Sequence, residues 1–394
     1  MKLLWVKSDF LHPTTRGGQI RTLEILKRLH PRNEVHYAAF DDPLQPEGLR
    51  RSAEYCTKAY PVQHKVPPRR SLGFALQLAA GLVSRLPVSI GRYRSAAMRA
   101  LLGELVQRER FDAVVCDFLT PAPNLPDMEK AILFQHNVET MIWKRHAKNA
   151  ATRIERAYLR LQERRIQEYE QEMCRKARRI IAVSDIDAQL MQSMFGVRDI
   201  YVTPTGVDTE YFAPPPQTAA VADLVFLGSM DWLPNIDGMR YFQTSILPLL
   251  RRERPDCSVT IVGRNPAREI LRLAEADPKI TVTGTVPDVR PHLWGARISI
   301  VPLRIGGGTR LKIYESMAAG IPVVSTTVGA EGLDVSHPEN IRIADTPDAF
   351  AEQCLELLRR EDARIRCAQA GRRLVVDRFG WDSIARHFEG LLVH

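Results

Sequence analysis

With 394 residues, 45% hydrophobic and 26% charged, the chain exceeds what one hydrophobic core organises, and two globular domains of ordinary size are expected. No stretch approaches the ~20 uninterrupted apolar residues that cross a bilayer, and the six cysteines (Cys56, Cys116, Cys174, Cys257, Cys354, Cys367) show neither a CxxC nor nearby histidine pairs, which argues against a zinc site or a disulfide framework. The formal charge of +9 is uneven: residues 1–200 hold 33 Lys+Arg against 22 Asp+Glu, a surplus that favours an anionic ligand or surface as partner of the N-terminal half, solvated surface charge being the other account.

The opening MKLLWVKSDFLHP is broken by charge and proline, so an intracellular protein without a cleaved leader is expected. LLWV (3–6) reads as a strand, HPTTRGG (12–18) as turn chemistry, and QIRTLEILKRL (19–29) as a helix with Ile20, Leu23, Leu26 and Leu29 at helical spacing. EVHYAAF (34–40), FDAVVCDF (111–118), AILFQHN (131–137) and RIIAVSD (179–185) read as further strands, and 144–179 as a long charged helix or helix pair. Alternating strands and helices predict a doubly wound α/β domain over 1–204.

The pattern pauses over 205–222, where prolines dominate and periodicity is lost, and an interdomain linker is expected there. DLVFLG (223–228), SVTIVG (258–263), ITVTG (280–284), RISIVPL (297–303) and IPVVST (321–326) then predict a second α/β domain over 223–377. The terminal amphipathic helix, 378–394, could pack on either domain. Ligands of open α/β sheets bind at the carboxyl ends of strands, so a cleft between the two domains is the expected site.

The stretch GGGTRLKIYESMAAGIPVVST, beginning at Gly306, follows the strand RISIVPL and opens a helix. Glycines there let a ligand approach the backbone, and the free N–H groups of a helix start favour an anion. Lys312 lies in the first helical turn, where a cation is unfavourable unless a phosphate offsets it. Glu315, three residues on, shares its face and offers two acceptors to the vicinal hydroxyls of a ribose. The pattern is neither GxxxxGK[ST] nor GxGxxG, which disfavours a P-loop ATPase or a standard dinucleotide fold. It reads as a nucleotide site, or as a tight turn with a Lys312/Glu315 ion pair.

The line VTGTVPDVRPHLWGARISIVPLRIGGGTRLKIYESMAAGIPVVSTTVGAEGLD resembles the donor-binding half of glycosyltransferase family 4, whose members have the GT-B fold: α/β, with two Rossmann-like domains facing across a cleft. TRGGQIR, FQHNVE, IAVSD, TPTGVDTEYFAP, VFLGSMDWLPN and the terminal FGW fall in the family's order, and the flavour is that of the exopolysaccharide-type sugar transferases. The resemblance implies a retaining, metal-independent transfer of a sugar from a nucleoside diphosphate to a hydroxyl acceptor, with no cofactor beyond the nucleotide sugar. Glu315 matches the family glutamate that holds the donor ribose. The preceding glutamate of that pair falls on Gly307, so sugar contacts are left to Gly307, Gly308 and Thr309. The family's diphosphate-neutralising arginine falls on Ser229, and Arg264, Arg310 and above all Lys312 are the replacements.

His136, after AILFQ, matches a histidine that contacts the donor sugar and whose main chain can support developing positive charge; a general base is the other role an imidazole allows. Asn137 and Glu139 are candidates for orienting it or reading the acceptor, and Asp117, ending the preceding strand, is an alternative acceptor ligand. Gly17 and Gly18 permit a phosphate or acceptor against the next helix. Val286 and Pro287 match positions that read the base through main-chain atoms. Trp232 and Asn235 stand just past a strand end, Trp232 either stacking on a ligand or packing. DID (185–187) is more simply an N-cap than a metal pair.

Residues 67–99 enclose an apolar run (Leu72, Phe74, Leu76, Leu78, Leu82, Val83, Leu86) between arginines, with no acid. An anionic membrane surface and a lipid-linked or polysaccharide acceptor are therefore expected partners of a cytoplasmic enzyme peripheral to the inner face of the membrane; a core helix is the other account. Nucleic acid is not expected, since aromatic stacking residues do not cluster. A nucleotide-sugar 2-epimerase of the same fold and an inactive glycan-binding relative are the rival functions.

Overall fold

The computed structural model describes residues 1–14, 17–64, 66–67, 71, 73, 81, 84–148, 152–215, 220–305 and 311–393. The chain forms two compact units, one made of Met1–Pro204 with Ile384–His394, the other of Thr205–Ser383.

In the first unit the described strands are β1 (Lys2–Val6), β2 (Glu34–Asp41), β3 (Lys58–Gln63), β4 (Ala113–Asp117), β5 (Ala131–Phe134), β6 (Arg179–Ala182) and β7 (Ile200–Val202). They pair in the order 3-2-1-4-5-6-7, all parallel. β1, β4 and β5 are near-continuous apolar runs because parallel sheets are covered on both faces. The edge strand β3 carries Pro61, which an edge tolerates and a central strand does not. The charged stretch after β5 resolves into a helix pair, Glu139–Lys148 and Arg153–Lys176.

The register of this sheet positions the site. Val6 lies opposite Cys116 and Asp117 opposite Phe134, so the residues just past these pairs, Lys7 and His136, emerge with Asp117 at one sheet end. The terminal helix Trp381–Val393 sends Phe388 against Trp5 (ring centroids 5.5 Å) and Phe134 (4.9 Å).

The second unit holds β8 (Ala222–Leu227), β9 (Val259–Val262), β10 (Ile280–Val282), β11 (Ala296–Val301), β12 (Val323–Ser325) and β13 (Arg342–Ile343), again all parallel, in the order 10-9-8-11-12-13. Both sheets thus carry the 3-2-1-4-5-6 winding of nucleotide-binding α/β folds. Much of the stretch read as linker belongs to this second unit: Val207 and Phe212 are buried in its core, Val207 bridges Gly380, and the Trp294 indole donates to the Phe212 carbonyl at 3.3 Å. Among the described residues no helix is long and apolar enough to cross a membrane.

Of the apolar run after Arg70, Leu72, Phe74, Leu76, Leu78, Leu82 and Val83 lie outside the described residues. Leu86 packs against the first unit's core.

Candidate functional site

In the first unit, the ends of β1, β4 and β5 and the helix Gly17–Leu29 build a closed polar cluster around Asp117, which is fully buried. Its Oδ1 accepts from Lys7 Nζ at 2.7 Å; its Oδ2 accepts from the Trp5 indole at 2.8 Å and Thr22 Oγ1 at 2.7 Å. Burial opposes the carboxylate, yet Lys7 and the contact with His136 hold its pKa well below the ordinary range. Asp117, expected as an alternative acceptor ligand from its place at a strand end, has its carboxylate engaged by Lys7, Trp5 and Thr22.

His136 is also buried. Arg21 donates to its Nδ1 at 2.9 Å, so the ring proton sits on Nε2, which lies 2.8 Å from Asp117 Oδ1 outside hydrogen-bond alignment. Burial drives the imidazole pKa down to about 3 despite Asp117, and the ring is neutral. With one nitrogen accepting from an arginine and the other turned toward Asp117, the imidazole is poorly placed as a general base. Phe118 stacks on it (4.0 Å between centroids, 9° between planes) with φ +73, a left-handed conformation costly for an aromatic residue. That ring explains Gly18: a Cβ there would lie 2.7 Å from Phe118 Cζ. Gly17 is exposed and has open space around it.

The turn from β5 into the next helix carries Asn137 and Glu139. Asn137 Oδ1 is buried with no partner among the described residues, and Glu139 is half-buried, its pKa raised by burial against a hydrogen bond from Asn137.

In the second unit, β8 and β9 end on Gly228 and Gly263, whose backbones approach so closely that a Cβ on Gly263 would meet the Gly228 carbonyl at 1.7 Å. Around this crossing four expected residues converge. Lys312, from the helix Leu311–Ala318, donates to Asn235 Oδ1 at 2.9 Å and lies 4.3 Å from the Phe226 ring centroid. Asn235 donates to the Ser229 carbonyl at 2.8 Å, and Arg264 donates to Ser229 Oγ at 2.9 Å. Ser229 Oγ donates to Asp231 at 2.7 Å, and hydrogen bonds from Ser229 and Asn265 lower the Asp231 pKa. Asn235 is buried while Arg264 is exposed, so the cluster runs from the sheet end to solvent.

Glu315 lies one turn beyond Lys312 on a helix that buries Ile313, Tyr314 and Met317. Nothing among the described residues hydrogen-bonds to its carboxylate, and burial raises its pKa to about 7 against the charge of Lys312. Trp232 is 40% exposed just before the helix Leu233–Tyr241. Val286 packs on the core and Pro287 is exposed, both after Gly284, which has φ +69. Gly307, Gly308, Thr309 and Arg310 lie outside the described residues. Among the described residues no three His, Cys, Asp or Glu side chains are grouped to hold a metal ion; Asp185 and Asp187 open the helix Asp185–Phe195, which Ser184 caps.

Sequence reasoning missed Lys7, Thr22 and Glu170, the last of them buried on the helix Arg153–Lys176, and it named Gly228 and Arg21 only within motifs. Their signal is polarity inside a buried pattern: Lys7 extends an apolar strand, and Thr22 and Glu170 occupy the buried stripes of their helices.

Residues 15–211 match the family described as Glycosyltransferase Family 4, and residues 222–360 match Glycosyl transferases group 1. The chain is 29% identical over 227 residues to a GDP-mannose-dependent alpha-(1-6)-phosphatidylinositol monomannoside mannosyltransferase of Mycobacterium tuberculosis; the match covers 52% of this chain and 58% of that protein. Its fold is similar to sucrose-phosphate synthase from Thermosynechococcus elongatus, with a TM-score of 0.70 and 15% identity over 99% of this chain and 98% of the other. It is also similar to Anabaena HepE, solved in complex with UDP and glucose, with a TM-score of 0.64 and 14% identity over 100% and 99% of the two chains. The two parallel-sheet units, their strand order and these matches together identify the chain as a member of glycosyltransferase family 4 with the GT-B fold.

Proposed function

We propose that the protein transfers a sugar from a nucleoside diphosphate to a hydroxyl acceptor, with retention at the anomeric carbon and without a metal ion. The observation that carries this reading is the convergence of Lys312, Asn235, Ser229 and Arg264 around Gly228, with the carboxylate of Glu315, which no described residue hydrogen-bonds, one helical turn away. Two cations and a glycine-lined strand end suit a diphosphate. A carboxylate with free lone pairs suits two ribose hydroxyls.

In this reading Lys312 and Arg264, with Gly307, Gly308, Thr309 and Arg310 just before the helix in sequence, stabilise charge on the departing diphosphate. Each charge-assisted contact contributes about 1.5–3 kcal/mol. The acceptor oxygen attacks the anomeric carbon from the face the diphosphate leaves. The bond to the β-phosphate oxygen breaks with its electron pair going to that oxygen, and the acceptor proton follows to the phosphate. No side-chain base is required, in keeping with a neutral His136 whose ring is engaged by Arg21 and Asp117; the family resemblance gives the main chain at His136 the support of the developing positive charge. Val286 and Pro287 read the base through main-chain atoms, Gly17 and Gly18 admit the donor, and Asn137 and Glu139 serve the acceptor.

The acceptor is read as a lipid-linked or polysaccharide hydroxyl of exopolysaccharide synthesis, met at an anionic membrane face. The nine basic residues against one acid in 51–100 support that side of the reading, as does the phosphatidylinositol-linked substrate in the name of the mycobacterial relative.

Calorimetry and donor hydrolysis with a panel that includes GDP-mannose and UDP-glucose test the reading. One donor is expected to bind and to turn over in the presence of acceptor. Failure of every nucleotide sugar to bind overturns it, and donor plus water yielding an epimerised sugar makes the enzyme an epimerase instead. Co-sedimentation with anionic but not neutral liposomes, lost at high salt, checks the membrane side.

A further inference from the structure

The helix Arg153–Lys176 is strongly polar, and its buried stripe runs through Gln162, Ile166, Tyr169, Glu170, Met173 and Cys174. Glu170 is the acid in that stripe, and it is completely buried. Its carboxylate faces the turn that joins β5 to the helix Glu139–Lys148. One oxygen accepts from Gln135 Nε2 at 2.9 Å and from the backbone N–H of Glu139 at 3.0 Å; the other accepts from the backbone N–H of Thr140 at 2.8 Å and from its hydroxyl at 2.6 Å.

All four donors come from residues 135–140. A helix start ordinarily satisfies its free N–H groups with a side chain of its own cap residue. Here a carboxylate from a different helix does so and also grips Gln135 at the far end of the turn. His136 and Asn137, the residues the proposed function sets at the reacting centre, lie between the two grips. Burying a carboxylate is costly and burial raises this one to about 7. A leucine would fill the stripe without that cost, so packing alone does not account for an acid here.

We propose that Glu170 is a positioning residue: by holding both ends of the 135–140 turn it fixes the main chain of His136 and Asn137 in the geometry that transfer requires. The inference rests on the proposed glycosyltransferase function, which assigns that turn its role.

The test uses the full chain carrying Glu170→Gln or Glu170→Asp. Glutamine keeps the volume but replaces one acceptor oxygen with a donor. Gln135 Oε1, buried with no partner among the described residues, can receive that donor after the Gln135 amide flips, so the variant is expected to fold. Aspartate keeps both acceptors on a shorter arm. For Glu170→Gln, kcat should fall about 10- to 100-fold, the loss of one charge-assisted hydrogen bond. Donor Kd by calorimetry should stay within about twofold, since Lys312, Arg264 and Glu315, to which the proposed function gives the diphosphate and the ribose, lie in the other unit. Glu170→Asp should recover part of the loss.

A positioning role is overturned if Glu170→Gln keeps parental kcat, or if it outperforms Glu170→Asp, which would mark the site as filled volume. Backbone amide exchange at Glu139 and Thr140 separates this inference from the functional reading. Exchange at least tenfold faster in Glu170→Gln supports the clamp even if no nucleotide sugar is turned over by the parent protein; unchanged exchange overturns it.

Discussion

The two polar clusters sit at equivalent places, the carboxyl ends of the central strands of two sheets wound alike, and they are finished in opposite ways. Around Asp117 the charges of Lys7 and Arg21 face internal acceptors, the side chains are nine-tenths buried or more, and an aromatic ring closes over His136. Around Gly228 the cluster climbs from buried Asn235 to exposed Arg264, and Glu315 has no hydrogen-bond donor among the described residues. Internal pairing in low dielectric makes a rigid part, because leaving any member alone is expensive. A half-buried carboxylate with no donor among the described residues gains no hydrogen-bond stabilisation from them in the free protein, and in the proposed function a ligand supplies the donors.

The comparison breaks first at Asp117. Asp117→Asn strands the Lys7 ammonium, which is 2% exposed, and should cost about 3–5 kcal/mol of stability. Urea denaturation followed by the fluorescence of Trp5 should move to a distinctly lower midpoint, and a midpoint equal to the parent's would show that the cluster is not the rigid part described.

Lys312→Ala should do the reverse. Donor binding or turnover should weaken by the worth of one charge-assisted contact, about 1.5–3 kcal/mol, while the melting temperature moves little, because removing the half-buried Lys312 side chain lets water reach the Asn235 Oδ1 it leaves behind. A large loss of melting temperature with normal activity would move Lys312 into the structural class.

Gly18→Ala tests how tightly the first cluster is closed. The new methyl would lie within 2.7 Å of a Phe118 ring that stacking on His136 holds in place, an overpacking worth about 1–3 kcal/mol. Pairing it with Phe118→Leu should restore most of the stability, and no restoration would mean the strain lies elsewhere.

Glu315 carries the smallest effect and the clearest pH signature. The folded carboxyl titrates at about 7 against 4.5 ordinarily, so between those values the folded state holds a proton that the unfolded chain has released. Stability of the free protein from this group is therefore full below about pH 4.5 and declines as pH rises toward 7. Ribose hydroxyls need the ionised form, so donor affinity should tighten as pH rises through about 7. Glu315→Gln should flatten both trends and weaken donor binding by about 1 kcal/mol. Calorimetry from pH 6 to 8 on parent and variant decides it; a flat parental profile removes Glu315 from the site.

Strands were legible wherever apolar residues ran unbroken, because a parallel sheet covered on both faces demands such runs. DLVFLG, RISIVPL and IPVVST all fall on observed strands, and AILFQHN on β5. β3, β7 and β13 escaped notice: they are edges, where only one neighbour must be satisfied and residues such as Pro61 and Arg342 are allowed.

Residue type and spacing alone determined the α/β class, the doubling of the pattern, and the placing of Lys312 and Glu315 on one helical face, because these depend on periods of two and 3.6 that are local to the chain. Tertiary structure alone decided which polar residues are free. Asp117 ends a strand and Glu315 lies on the helix that follows one, and both read as open carboxylates in the sequence, yet Asp117 meets Lys7, Trp5 and Thr22 from elements about a hundred residues away while Glu315 meets no donor among the described residues. Whether a buried charge is a positioning part or an open ligand site is set by partners brought together across the sheet, and that register is invisible to any single stretch of sequence.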